Sequence, residues 1–113
     1  MNTKIVKMIY NPVAGQRHHR RFSKIVKLLK ANFKKLEILE TNGKGHAIAL
    51  AQGLEKNIDL LLIAGGDGTI NEILNGINNK KIVIGIIPIG TVNVFAGIFL
   101  FFCSVFSFYL KSY

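Results

Sequence analysis

The stretch "GGDGTINE", Gly65 to Glu72, sets one carboxylate, Asp67, among three glycines and a threonine directly after the apolar run "LLLIA". A turn needs one glycine or an Asp-Gly pair, so three glycines around one acid indicate a backbone that a ligand must approach closely. Backbone N–H groups opened by glycine, followed by a helix start, bind anions such as phosphate. Three other stretches share this make-up: "NPVAG" from Asn11, "TNGKGHA" from Thr41 and "IGT" ending at Thr91. No GxxxxGK followed by Ser or Thr occurs, and "GGDGTI" departs from GxGxxG, so neither a Walker A loop nor a dinucleotide fingerprint is present. The chemistry these residues suit is phosphate binding of another design, with Asp67 as the acid in the ring.

Such loops meet only if regular elements bring them to one edge. "KIVKMIY" reads as a strand ended by the "NP" turn signal and Gly15. From Arg17 to about Ala31, Phe22, Ile25, Val26 and Leu29 fall on one helical stripe, with Arg20, Arg21, Lys24 and Lys27 opposite. "KLEILE" alternates as a half-buried strand does, and a helix from His46 to about Lys56 follows the break at "TNGKG". "DLLLIA" and "KIVIGIIP" are apolar on both alternations, as strands covered on both faces are; "TINEILNGIN", residues 69–78, forms a short helix between them. The order βαβαβαβ predicts an α/β fold, a parallel sheet sandwiched between helices. In such a sheet ligands bind at the carboxyl ends of the strands, where all four small-residue loops lie.

With "NPVAG" near the start, "GGDGTINE" after an apolar strand and "PIGTVNVFA" downstream, the chain resembles the diacylglycerol kinase catalytic-domain family. Bacterial lipid kinases belong to it, and sphingosine and NAD kinases are more distant. The resemblance covers residues 4–96 and implies an NAD kinase or phosphofructokinase-like N-terminal domain. It also implies that ATP, with Mg2+, gives its γ-phosphoryl group to a lipid hydroxyl such as that of diacylglycerol. By motif, Asn11 belongs to the first nucleotide loop and Thr41 to the second; Gly65, Gly66, Asp67, Gly68, Thr69, Ile70 and Asn71 form the central phosphate loop, and Thr91 belongs to the fourth. Asp67 is the catalytic candidate, contacting Mg2+ through water or orienting the attacking hydroxyl.

Plainer duties compete for several of these residues. Asp67 or Thr69 can cap the helix that follows, Thr41 and Asn42 can be turn formers, and His46 reads as a surface or capping residue. No protein metal site is expected, since His18 and His19 have no Cys, Asp or Glu partner at ligand spacing.

Two features depart from the family pattern. Val94 stands where an acid is common, and the family's lipid kinases continue into a second, β-rich domain that carries the lipid-side wall, the metal site and the general base. Here residues 1–96 read as the nucleotide-binding domain and 97–113, "GIFLFFCSVFSFYLKSY", as an apolar tail. The tail reads as translation out of frame with an early stop; a membrane anchor is the rival. A truncated, impaired lipid kinase is thus expected, and a non-catalytic remnant that binds nucleotide or associates with membrane is the alternative.

Composition supports one folded domain. Of 15 Lys and Arg, ten precede Glu37, the first of six acids, and the net charge is +9. That field attracts nucleotides or an anionic membrane surface, so peripheral membrane contact is open. Nucleic acid is not expected, because the basic helix lacks interleaved aromatics. One cysteine, Cys103, and a start without a signal-peptide core suit a cytoplasmic location, with the inner membrane face as the place to meet a lipid. Oligomeric state is not legible.

Overall fold

The computed structural model describes residues 2–13, 19–54, 57–77 and 82–88. Strands and helices alternate through them: β1 (Asn2–Tyr10), α1 (His19–Asn32), β2 (Phe33–Glu40), α2 (His46–Gln52), β3 (Leu60–Gly65), α3 (Asp67–Gly76) and β4 (Ile84–Pro88). Every pairing is parallel and the strand order is β2-β1-β3-β4. The expected parallel α/β sheet between helices is what forms. Gly15, Lys56, Thr91, Val94, Cys103 and the tail 97–113 lie outside the described residues.

Alternation along β1 sends Val6, Met8 and Tyr10 to one face and Ile9 to the other, and each set meets a helix. On the first face Phe22, Ile25 and Leu29 of α1, one i, i+3, i+7 stripe, close over the strands, and Phe33 seals the end. The Tyr10 and Phe22 rings stack with centroids 4.2 Å apart. The opposite stripe of α1 leaves Arg20, Lys24, Lys27 and Lys30 exposed. On the second face Ala47 and Ala51 of α2 and Ile73 of α3 cover Ile9, Leu61 and Ile63. Here the two helices also touch each other. A Cβ on Gly76 would lie 2.8 Å from the Ile48 carbonyl oxygen and 3.0 Å from Ala51 Cβ, so a side chain at this position would force the helices apart.

β3 is buried at every residue, as its unbroken apolar run predicts. β4 is not the doubly buried strand its sequence suggests. It stands at the end of the strand order, with Ile86 41% exposed and Ile87 buried. Apolar alternation reports what a strand can bury; its place in the order decides how much is covered.

Boundaries also shift: α2, expected to reach about Lys56, ends at Gln52 with Gly53 as its C-cap. β2 begins at Phe33, immediately after α1, where the Asn32 side-chain amide donates to the Leu28 carbonyl and closes the helix. α3 begins at Asp67 rather than at residue 69, because extended Gly66 serves as its N-cap. An acid in the first turn suits the positive end of the helix dipole.

Candidate functional site

The strand order reverses between β1 and β3: the chain leaves β1 for β2 on one side and returns to β3 on the other. Loops leaving two adjacent strands toward opposite faces of the sheet open a crevice at its carboxyl edge. Backbone bonds hold that edge in register. The Asn11 N–H donates to the Ala64 carbonyl and the Thr41 N–H to the Tyr10 carbonyl, each at 2.9 Å. The ends of β1, β2 and β3 are thereby tied side by side.

Asn11 spans the crevice. Its Oδ1 accepts the Val13 N–H at 3.1 Å, an Asx-type turn, and its Nδ2 donates to Thr69 Oγ1 at 3.2 Å. Thr69 is only 6% exposed, so its hydroxyl is committed to this contact and not to solvent. The same threonine explains Gly65: a Cβ there would fall 2.7 Å from Thr69 Cβ, and β3 could not end so close to α3.

Of the stretch Gly65 to Asn71, assigned to a phosphate loop by motif, only Gly66 lies outside strand and helix. Gly65 closes β3, Gly66 alone makes the turn, and Asp67, Gly68, Thr69, Ile70 and Asn71 are helical. Neither Asp67 nor Thr69 caps α3, which has no side-chain cap bond. The first intrahelical bond runs from the Ile70 N–H to the Gly66 carbonyl, so the N–H groups of Asp67, Gly68 and Thr69 have no partner within the helix. Asp67 and Gly68 are exposed, and among the described residues a Cβ on Gly68 would meet nothing within 4 Å. Packing therefore gives no reason for a glycine at a helical position where alanine is better by up to about 1 kcal/mol.

The turn after β2 is held from two sides. His46 Nδ1 accepts the Asn42 N–H at 2.8 Å. The Glu72 carboxylate on α3 accepts the N–H of Gly45, which sits at φ 86°, a conformation that favours glycine. Thr41 is buried at the head of this turn. Sequence reasoning did not single out Glu72 or Gly45. The available signal was a second acid, Glu72, on the helix that begins with Asp67.

Burial, with the Glu40 carboxylate second, pushes the Tyr10 phenol above its ordinary range, so it stays protonated beside the edge. On β1, half-buried Lys7 pairs with Glu37 at 2.9 Å. Among the described residues no group of three or more His, Cys, Asp or Glu could hold a metal ion, and no helix is long and apolar enough to cross a membrane. Asn11, Thr41, Gly65 and the start of α3 thus share one edge; Thr91 lies outside the described residues.

Comparison with known proteins bears on this edge. A family model described as diacylglycerol kinase catalytic domain matches residues 6–101. A diacylglycerol kinase of Staphylococcus saprophyticus is 43% identical over 97 residues, which are 81% of this chain and 32% of that protein. One of Staphylococcus carnosus is 38% identical over 96 residues, 81% of this chain and 31% of the relative. The crystal structure of a diacylglycerol kinase from Bacillus anthracis superposes with TM-score 0.69 at 39% identity, covering 86% of this chain and 37% of that one. The chain spans about a third of the length of the curated relatives it matches.

Proposed function

We propose that this chain, which belongs to the diacylglycerol kinase catalytic domain family, supplies the ATP-holding side of a lipid kinase. The observation that carries this is the Asn11–Thr69 bond across the point where the strand order reverses, the place at which open parallel sheets bind ligands. The first N–H groups of α3 and the open space before Gly68 suit a phosphate group lying against the backbone. Thr41, from the end of β2, and Thr91, by motif alone, are the further contacts proposed.

Asp67 stands at the same helix start as the phosphates it would face, and two anions there require a cation. A single exposed carboxylate, with water and phosphate oxygens completing the shell, fits the way Mg2+ is held beside nucleotides, and the ion would neutralise charge on the transferring group. The chain's own part is to fix ATP by its phosphates. The acceptor hydroxyl oxygen would then form the new bond to the γ-phosphorus as the bond from that phosphorus to the bridging oxygen breaks, ADP leaves with the bridging oxygen, and the hydroxyl proton passes to solvent water. Asp67 either orients that hydroxyl or anchors the ion.

The proposed acceptor is a lipid hydroxyl of the diacylglycerol type. The exposed cations of α1, Arg20, Lys24, Lys27 and Lys30, support approach to an anionic membrane surface, where each is worth about 1 kcal/mol. The inner membrane face is the location this implies.

The test is calorimetry with Mg-ATP and labelled phosphate transfer to diacylglycerol in micelles. Asp67→Ala should abolish Mg-dependent affinity and any transfer while changing stability by no more than about 1 kcal/mol. Wild-type affinity in the variant would sink the assignment of Asp67. Absence of Mg-ATP binding by the parent chain would sink the nucleotide site.

A further inference from the structure

α2 is a helix start without local support. Its N-cap is Gly45, no side chain caps it, and its first turn contains no acid. Residues of these kinds normally satisfy the free N–H groups and complement the positive end of the dipole. Here the missing anion comes from another helix: the Glu72 carboxylate accepts the Gly45 N–H across 27 positions of sequence.

Glu72 and Gly76 lie four residues apart, on one stripe of α3, and that stripe faces α2 at two points. At Gly76 the backbones are in contact, and at Glu72 a charged hydrogen bond fixes the end of α2 nearest the sheet edge. With the Asn42 N–H on His46 and the Thr41 N–H on Tyr10, the whole turn 41–45 is referenced to the sheet at its head and to α3 at its tail.

We infer that Glu72 is a positioning residue for the nucleotide site: by capping α2 from α3 it holds the Thr41–Gly45 turn at a fixed place relative to Asp67. The role rests on the nucleotide reading above, and it acts through Gly45 without contact to the ligand. A carboxylate that merely stood near the phosphates would repel them. A positioning acceptor has the opposite sign, so the two duties separate by experiment.

The full chain and its Glu72→Ala and Glu72→Gln variants would be compared by Mg-ATP calorimetry and by amide hydrogen exchange at Gly45. Glu72→Ala should speed Gly45 exchange and weaken Mg-ATP about tenfold, the effect of one hydrogen bond to a charged group. Glu72→Gln keeps an acceptor and should stay within about threefold of the parent in both readouts. Tighter binding by both variants would overturn the proposal in favour of simple repulsion, and faster exchange with unchanged affinity would reduce Glu72 to a cap of α2 alone. Unchanged exchange in Glu72→Ala would show that the bond is not made and would overturn it too. A parent chain that binds no Mg-ATP defeats the nucleotide reading itself, and the positioning role with it, which is distinct from a binding parent with an indifferent variant.

Discussion

On the α1 side the sheet is packed by large side chains, Phe22, Ile25, Leu29 and Phe33; on the other side α2 and α3 meet it through Ala47, Ala51 and Ile73, and meet each other at Gly76. The first cover contributes free energy through buried area and tolerates adjustment of side chains. The second sets distances, since a backbone carbonyl 2.8 Å from where a Cβ would stand cannot yield as a rotamer can. Two side-chain links of the candidate site, Asn11 to Thr69 and Gly45 to Glu72, end on α3 and so depend on the second cover. Both faces contribute buried area; the second also sets geometry.

Phe33→Ala tests that division most severely. Phe33 is 1% exposed, so truncation should cost about 3–5 kcal/mol in denaturant unfolding while the folded fraction binds Mg-ATP as before. A fall in affinity per folded molecule would join the two faces into one unit.

Gly76→Ala should do the reverse. Overpacking against Ile48 and Ala51 costs about 1–3 kcal/mol, offset in part by about 1 kcal/mol of better helix propensity. Mg-ATP affinity, read by calorimetry, should nonetheless drop because α2 and the turn before it are displaced from α3. Unaltered affinity would mean that the helix spacing does not reach the site.

The smallest change carries opposite signs. Gly68→Ala places a methyl in open space at a helical position, so thermal unfolding should show a gain of up to about 1 kcal/mol, while Mg-ATP binding weakens as the methyl meets the phosphate. A variant both more stable and equally able to bind would remove Gly68 from the site.

Much of this molecule is readable along the chain because its signals are local. The stripe Phe22, Ile25, Leu29 announces α1, the unbroken "LLLIA" announces a doubly covered strand, and both are where periodicity puts them. The motif "GGDGTINE" leaves the local form open: the helix expected from residue 69 starts at Asp67, so Asp67 and Gly68, assigned to a loop, belong to the first turn of α3. Helix N-termini and phosphate loops share glycine, Asp and Thr, so composition alone does not separate them.

What the sequence by itself determined is the set of elements and the class of fold, a parallel α/β sheet, which follow from periodicity between near neighbours and from the order of the elements. Only the tertiary structure decided that β1 and β3 lie side by side, that β4 stands at the end of the order, and that Asn11 reaches Thr69 and Glu72 reaches Gly45. Hydrophobic burial is non-directional and leaves the strand order open. Bonds spanning 58 and 27 positions exist only once that order and the close approach at Gly76 are set.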